Sequence, residues 1–460
     1  MNIALAIYLI ILVAIAIRSA VRVKDIPDFF VARKGASAKA VAGSLVATIL
    51  GGSAVIGAVD SGARLGGAAS WFMLTGALGL LALIPFAPRA YRHGKYALPD
   101  LVESLYGKGP RLVASVVIPI AWTGIVAAQI IAAAKLLMTF APMDYTTAAI
   151  VSAAVFTGYT LTGGQLSILR TDFFQACLII AGLLTVAGFA LFGATPGNPA
   201  APQAGVSSIL QGAPAFPFNS NFTPFDLFLL ILTYGTTYTA GPDIFSRMFC
   251  AKDIATAKKG IVGAAVTLVP VAFVIGFLAV YGVSLGEVQG ARITAIATAV
   301  LPPALIPLFA LALLSVVLSS ADTTLLSSSV IICRLFGIGG EKSAANGNSH
   351  PLAKARVIIL LNGTVALLLA LVFTDIIGTL LLALAVYAGA FTVPVLWGLL
   401  GLRAKPTFVA AAIVAGGALA LAGKLCPPLP GTLGAHTGDI LMIAAFVVNA
   451  LFLALGRIRK

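Results

Sequence analysis

A carboxylate and a row of hydroxyls lie inside one long apolar stretch of this sequence. The stretch covers residues 304–336, and its centre, residues 318–329, reads Leu-Ser-Ser-Ala-Asp-Thr-Thr-Leu-Leu-Ser-Ser-Ser. Ser319, Asp322 and Thr323 are spaced i, i+3 and i+4, so a helix places all three on one face. Polar groups at bilayer depth are costly unless they face protein, water or an ion. Oxygen atoms in this pattern suit a hard cation such as sodium, so the pattern predicts a protein that moves an ion.

The composition predicts a membrane protein around this stretch. Of 460 residues, 60% are hydrophobic and only 10% are charged, and the mean hydropathy is +1.06. A soluble domain cannot bury that much apolar surface, so we expect an all-α polytopic membrane protein. About thirteen apolar stretches are long enough to cross roughly 30 Å of hydrocarbon as transmembrane helices. They begin near Ile3, Lys39, Ala68, Leu112, Thr146, Ser167, Thr223, Lys259, Leu301, Ala355, Asp375, Thr407 and Gly438.

The basic residues predict the orientation of these stretches. With the N-terminus outside, all but four of the 29 Lys and Arg residues fall in alternate loops and the C-terminal tail. The opposite loops carry only Arg64, Arg292 and Lys424, and Lys135 lies within a helix. This bias predicts a multi-pass protein of the cell membrane with a cytoplasmic C-terminus. It also accounts for the net charge of +14 without a nucleic-acid partner, because the basic residues alternate by loop.

Two of the apolar stretches are interrupted by helix-breaking residues. The second contains Leu-Gly-Gly-Ser at residues 50–53, and the seventh contains Gly, Thr, Tyr and finally Gly-Pro over residues 234–242. Glycine lowers the cost of unwinding, and proline removes a backbone donor. Unwound backbone at membrane depth is tolerated where it lines a cavity or is buried in protein. Breaks in corresponding positions of two halves predict an inverted-repeat transporter with its site at the breaks.

Four short motifs follow one another along the chain. They are Asp-Phe-Phe-Val-Ala-Arg-Lys at residues 28–34, Thr-Gly-Gly at 162–164 with Thr-Asp-Phe-Phe-Gln at 171–175, Asp-Ile-Phe-Ser-Arg-Met at 243–248, and Ser-Ser-Ala-Asp at 319–322. Together they resemble the motifs of the sodium:solute symporter family over nearly the whole chain. The resemblance implies a leucine-transporter-like fold, in which two inverted repeats of five helices carry flanking helices.

The implied organisation is a single transmembrane transporter domain over residues 1–460. Residues 1–37 would form the first helix and its loop, 38–193 the first inverted repeat, 223–402 the second repeat, and 403–460 two C-terminal helices.

The resemblance also implies where the cations bind. By similarity, the main sodium site lies between the second and ninth stretches. Its ligands would be the backbone carbonyls of Ala47, Leu50 and Val316 and the hydroxyls of Ser319 and Ser320.

A second cation site is implied nearer the cytoplasm, as in some relatives. Its positions map to Asp172, Ser319, Asp322 and Thr323. Because Asp322 stands where some branches carry a hydroxyl, a second sodium ion and a proton both remain open. Asp172 has a structural alternative, as a charge partner of Arg170 or another basic residue at the inner face.

The solute is expected near the midplane, against both broken helices. The candidate residues are Ser53, Ala54, Tyr234, Thr237 and Tyr238. Sugar-transporting relatives carry a larger polar side chain where this chain has Ala54, which argues against a sugar. A small carboxylate or amino acid, bound by half-helix N-terminal amides, is slightly favoured. A choline-like quaternary ammonium, held by aromatic faces, is the alternative.

Asp243 and Arg247 are spaced i, i+4 at the cytoplasmic end of the seventh stretch. We expect them to form an ion pair that fixes the inner gate or helix end without touching the solute.

The predicted function is secondary active transport, in which a sodium gradient drives uptake of a small organic solute by alternating access. The implied partners are sodium as the co-transported ion, the solute and the lipid bilayer, with no obligate protein partner evident. A membrane sensor of the same fold is a lesser alternative. An enzyme is not expected, since no HExxH, Gly-x-Ser-x-Gly or paired-carboxylate pattern occurs.

Overall fold

The computed structural model describes residues 2–140, 143–192, 209, 214–288, 290–338, 350–373, 376–425 and 436–458. These residues form helices and connecting turns, and no β-strand occurs among them. The α-helices are α1 Asn2–Ala20, α2 Ile26–Val31, α3 Ala38–Ile49, α4 Ala58–Asp60, α5 Gly62–Leu65, α6 Trp71–Leu83, α7 Ala87–His93, α8 Leu98–Tyr106, α9 Lys108–Phe140, α10 Tyr145–Phe192, α11 Pro224–Leu230, α12 Thr236–Ala240, α13 Pro242–Cys250, α14 Ile254–Val283, α15 Arg292–Val300, α16 Ile306–Leu335, α17 Pro351–Val372, α18 Ile376–Leu399, α19 Pro406–Leu425 and α20 Thr437–Leu455.

The second stretch is broken where the sequence predicts it. Helix α3 ends at Ile49, and the chain resumes in a π-helical turn, Ser53–Gly57, that leads into α4. The two helical segments Ala38–Ile49 and Ala54–Asp60 are bent by 57° relative to each other. The bend lies at Gly51 and Gly52, where the absence of a side chain makes unwinding cheap.

The seventh stretch contains a π-helical turn and, after it, one break. Helix α11 passes into a π-helical turn, Ile231–Gly235, and then into α12. Gly241 is extended, with φ −69° and ψ 140°, and α13 starts at Pro242. Proline pushes the residue before it out of the helical region and cannot donate to the preceding turn, so the break is encoded locally.

The fifth and sixth stretches form two helical segments of α10 that meet at a corner at Gly164. This glycine has φ 52° and ψ −149°, a conformation that other residues adopt only at a cost. A Cβ on Gly164 would lie 2.6 Å from the carbonyl oxygen of Phe29. Glycine is therefore required at this corner both for the backbone angles and for the close packing of α2.

The described residues contain nine helices that are long and apolar enough to cross a membrane, or ten if the bent pair around residues 50–53 counts as one span. They confirm a multi-pass helical protein, whereas the figure of thirteen spans and the repeat boundaries remain predictions. Several starts differ from expectation by a few residues. The third span, Gly62–Leu83, includes a 3₁₀ turn, Gly66–Ser70, and the ninth begins at Ile306 after the separate helix α15.

Helix α16 lies at the centre of the molecule. Its most apolar 18-residue window is 89% buried, against 28% to 78% for the other helices of membrane-spanning length. It packs against α3, α9, α10 and α17. A helix buried on all sides can carry polar side chains only if protein groups or ligands satisfy them. The row of hydroxyls and the carboxylate therefore face neighbouring helices.

Candidate cation and solute site

Two serines of α16 bond to carbonyl oxygens of α3 just before its break. Ser319 Oγ donates to the Ala47 carbonyl at 2.9 Å, and Ser320 Oγ donates to the Thr48 carbonyl at 3.0 Å. Both serines are buried. Oxygens that are more than 270 residues apart in the sequence thus meet at one point between the second and ninth spans.

Of the remaining oxygens of the implied sodium site, the Val316 carbonyl lies near this point. The Val316 carbonyl is 3.4 Å from Ser319 Oγ. Leu50 caps α3 with ψ 49°, which turns its carbonyl away from the helical direction. Among the described residues, no hydrogen bond joins that carbonyl to the two serines. The set consists of neutral hydroxyl and carbonyl oxygens, which suit a hard monovalent cation.

Gly51 allows the two helices to approach this closely. A Cβ built on Gly51 would lie 2.5 Å from Ser320 Oγ and 3.3 Å from Ser320 Cβ. Any side chain at this position would push the hydroxyl away from α3. The glycines of the break therefore do more than unwind the helix, because they also admit a side chain of α16.

A buried arginine dominates the implied second cation site. The Arg247 side chain is fully buried, and its Nη2 lies 3.8 Å from the Asp172 carboxylate. The same guanidinium donates to the hydroxyl of Thr323. It also donates to Ser44 Oγ at 3.2 Å and to Ser246 Oγ at 2.8 Å. Asp172 accepts a further hydrogen bond from Ser44. Arg247 thus bridges α13, α3, α10 and α16.

The expected ion pair between Asp243 and Arg247 is wrong. Within the described part of the chain, the ion pair of Arg247 is with Asp172, and none within 4 Å joins it to Asp243. The i, i+4 spacing permits a pair on one helix, but Asp172 offers a more deeply buried carboxylate. Asp172 thus has a basic partner, as its structural alternative expected, but that partner is Arg247 and not Arg170, whose guanidinium donates to Ser19.

Asp322 stands beside this network without joining it. Its side chain is fully buried, and neither carboxylate oxygen has a hydrogen-bond partner among the described residues. One oxygen of Asp172 is likewise unpartnered. Two buried carboxylates therefore face one guanidinium, and a buried charge without a partner is costly. The cluster has the capacity to take up one further proton or cation.

A small cavity lies between the two broken spans and α9. Its volume is about 50 Å³, little more than the space one or two waters occupy. Its walls come from α3, α9, the seventh span, α16 and α18. The lining residues are Thr48, Ile49, Gly51, Trp122, Ile125, Gln129, Tyr234, Thr237, Tyr238, Asp243, Ser320, Thr324, Leu380 and Leu384.

The cavity gathers some of the predicted solute residues and excludes others. Tyr234, Thr237 and Tyr238 line it, whereas Ala54 is buried elsewhere. The side chain of Ser53 lies outside the described residues. The second span contributes instead through Thr48 and Ile49, which precede the break, and through Gly51, which lies in it.

Among the polar side chains of the cavity that were not predicted as solute contacts are Asp243 and Gln129. Asp243 was expected to pair with Arg247, and Gln129 was not singled out. Gln129 does carry a signal in the sequence, because an uncharged amide in the middle of a long apolar helix needs a partner. Its position relative to the breaks is set by packing between distant helices.

A second ion pair lies at the C-terminal end of α16. Arg334 binds the Asp100 carboxylate through Nε at 3.1 Å and Nη2 at 3.0 Å. Asp100 also accepts from the backbone N–H groups of Tyr96 and Ala97, both at 3.1 Å. The pair ties the short helix α8 to the helix that carries the two serines.

The chain is similar in sequence to members of one transporter family. The model of the sodium:solute symporter family matches residues 29–408. The sodium/proline symporter of Haemophilus influenzae is 26% identical over 245 residues, which is 50% of this chain and 45% of that protein. The match thus spans less than half of that relative's length.

Solved structures show the same fold. A sodium-coupled sialic acid symporter in a substrate-bound, outward-open state superposes with a TM-score of 0.78 at 18% identity, covering 100% of this chain and 99% of that one. A nucleobase-cation-symport-1 family transporter in a closed conformation gives 0.61 at 14% identity, over 93% and 94% of the two chains. These matches confirm the predicted leucine-transporter-like architecture.

Proposed function

Because this multi-pass membrane protein belongs to the sodium:solute symporter family, we propose that it is a sodium-coupled symporter that imports a small organic solute by alternating access. The observation that carries the proposal is the meeting of Ser319 and Ser320 with the carbonyls of α3 at its break. A sodium ion at this point replaces two hydroxyl-to-carbonyl hydrogen bonds with ion–oxygen contacts and holds the two helices together.

Sodium and solute binding are coupled because the two sites share residues. Thr48 and Ser320 belong both to the serine–carbonyl contact and to the lining of the cavity. A cation that fixes these residues also fixes one side of the solute chamber. By linkage, a solute that needs the same arrangement raises the affinity for the ion by the same factor. Binding of either ligand without the other is then weaker than binding of both.

The proposed second cation site is modified by the position of Arg247. Two of its implied residues, Asp172 and Thr323, contact the guanidinium. Arg247 therefore serves as a tethered cation in this conformation. Asp322 keeps two unpartnered oxygens, and we assign it the capacity to take a proton or a second ion when the cluster rearranges.

For the solute, the geometry favours a compact molecule over a sugar. The cavity of about 50 Å³ is small in this conformation, which supports a compact solute. A small carboxylate or amino acid fits the amides freed at the breaks. A choline-like cation is the second candidate, because Tyr234 and Tyr238 form an aromatic wall with ring centroids 5.1 Å apart.

The proposal includes the orientation of the protein in the membrane. With the N-terminus outside and the C-terminus in the cytoplasm of the cell membrane, the inner end of α16 and its Asp100–Arg334 pair face the cytoplasm. An inward sodium gradient then drives uptake. Sodium, the solute and the bilayer are the proposed partners.

Uptake into proteoliposomes tests the function. We expect uptake of a screened solute to require an inward sodium gradient. Replacing both serines, Ser319→Ala with Ser320→Ala, should raise the sodium concentration for half-maximal uptake by at least tenfold. The control is Thr185→Ala, whose hydroxyl bonds only to Ala181 of its own helix. Equal sodium dependence in the double variant and the control would remove the ion site from α3 and α16.

A further inference from the structure

The solute cavity contains hydrogen-bonding groups that no protein group satisfies. Gln129 Oε1 and Trp122 Nε1 are both buried and, among the described residues, have no hydrogen-bond partner. Both side chains are 2% exposed, and both line the cavity. A buried polar atom left without a partner costs free energy, so its retention in a chamber points to a ligand group that completes it.

Asp243 is the only charged residue in the described lining of the cavity. Arg247 does not neutralise it through a direct ion pair, because its guanidinium is engaged with Asp172. The described lining contains no Lys, Arg or His. Besides its hydroxyls, the described lining therefore presents one carboxylate and one amide oxygen as acceptors, and Trp122 offers an unpartnered N–H.

The position of Asp243 also removes one anchor for an anionic solute. It lies in the first turn of α13, immediately after the break at Gly241. A helix N-terminus attracts negative charge, and here the protein's own carboxylate provides it. A solute carboxylate at this end would meet a like charge, whereas a protonated amine would meet an acceptor.

Aromatic rings surround these acceptors. Tyr234 packs edge-on against Tyr238 at 5.1 Å, and Trp122 packs edge-on against Tyr387 at 4.5 Å between ring centroids. Ring faces attract cations, which adds to the pull of the carboxylate. An amine with N–H groups can also satisfy Gln129, and a fully methylated nitrogen cannot.

From this arrangement we infer that the solute carries a protonated primary or secondary amine, and that Asp243 and Gln129 are the residues that select it. This inference rests on the proposed function and names its substrate class. The Trp122 N–H supplies a donor for an acceptor on the same molecule, such as a carboxylate. A compact zwitterionic amino acid supplies a positive charge to Asp243, an N–H group to Gln129 and an acceptor to Trp122. A simple carboxylate would be repelled by Asp243, and a quaternary ammonium would leave the Gln129 oxygen without a hydrogen bond.

Matched probes separate these classes. L-alanine and propionate differ by the amine, as do L-proline and cyclopentanecarboxylate, and choline provides a quaternary nitrogen. We would measure the thermal stabilisation of the purified full chain by each compound, with sodium chloride or with potassium chloride at equal ionic strength. We expect sodium-dependent stabilisation by alanine or proline, and none by their nitrogen-free partners or by choline.

Variants assign the selection to residues. Asp243→Asn should weaken amine binding by about 10- to 100-fold, the range for losing a hydrogen bond to a charged group. Gln129→Leu should weaken it less, and Asp243→Glu should retain part of it, which guards against misfolding as the cause. Asp439→Asn is the control, since Asp439 also lies in the first turn of a helix but at a half-exposed position beside His436.

The outcomes separate this inference from the function. Stabilisation by propionate or cyclopentanecarboxylate as strong as that by the amines would overturn the inference, as would stabilisation by none of the amines. Unchanged amine binding in Asp243→Asn would do the same. In each case, thermal stabilisation of the wild-type chain that requires sodium would leave the symporter proposal standing. The absence of any sodium-dependent stabilisation would refute the symporter proposal separately.

Discussion

Gly51→Ala is the sharpest test of the ion site, because it perturbs a ligand without removing it. The new methyl group would lie 2.5 Å from Ser320 Oγ, too close for any contact between unbonded atoms. The hydroxyl can escape by rotating about its own Cα–Cβ bond. Rotation breaks the 3.0 Å hydrogen bond to the Thr48 carbonyl and takes the oxygen out of the implied sodium shell.

The expected effect on stability is small. Loss of one hydrogen bond costs about 0.5–1.5 kcal/mol. Gly51 does not have a positive φ, so alanine fits the backbone and recovers about 0.4–1 kcal/mol by restricting the unfolded chain. The two contributions nearly cancel.

The expected effect on sodium is large. A charge-assisted contact contributes about 1.5–3 kcal/mol, so removing one ligand should weaken sodium binding roughly 10- to 100-fold. Binding would be measured as the sodium dependence of the unfolding temperature, with potassium as the balancing salt.

A matched control and a double variant complete the test. Gly188→Ala adds the same methyl group within α10, where nothing lies within 4 Å of the new Cβ. Gly51→Ala with Ser320→Ala should bind sodium no more weakly than Ser320→Ala alone, because both changes remove the same oxygen. Additive losses in the double variant, or unchanged sodium affinity in Gly51→Ala, would refute the assignment of Ser320 as a ligand.

Two further predictions concern the helices around the site. Arg247→Met leaves buried carboxylates without their cation and should lower the free energy of unfolding by about 3–5 kcal/mol, and adding Asp172→Asn should restore part of that loss. Thermal unfolding checks both variants. A double variant no more stable than Arg247→Met would contradict the pairing. Gly79→Ala places a methyl group against the carbonyl oxygen of Gly235 and should cost about 1–3 kcal/mol by overpacking α6 against the broken seventh span. Gly188→Ala again serves as the control. Equal unfolding temperatures for Gly79→Ala and Gly188→Ala would show that α6 and the seventh span accommodate the methyl group without a loss of stability.

Much of the fold is written locally in the sequence. Hydropathy over windows of helical length predicts membrane spans, because each span must satisfy its own backbone in lipid. The breaks at Gly51–Gly52 and Gly241–Pro242 are equally local, since glycine and proline act on their own turn. The corner at Gly164 separates the fifth and sixth stretches, which were predicted as separate, and the glycine pair marks it.

The face of α16 also follows from the sequence alone. A helical period of 3.6 residues puts Ser319, Asp322 and Thr323 on one side, and their polarity within an apolar run requires protein, water or an ion beside them. The family motifs add which other span supplies the carbonyls. The structure then brings Ala47 against Ser319.

Partners of buried charges were decided only by the tertiary structure. The i, i+4 spacing made Asp243 a permissible partner for Arg247, but the guanidinium lies against Asp172 on another helix. Several buried carboxylates lie near one guanidinium, and which of them pairs with it depends on distances of a few ångströms that no local pattern encodes. That choice freed Asp243 to line the chamber beside Gln129, which gives the cavity its charge. The sequence by itself therefore determined a multi-pass helical protein and the polar face of α16, whereas packing between distant helices decided which charge each carboxylate meets.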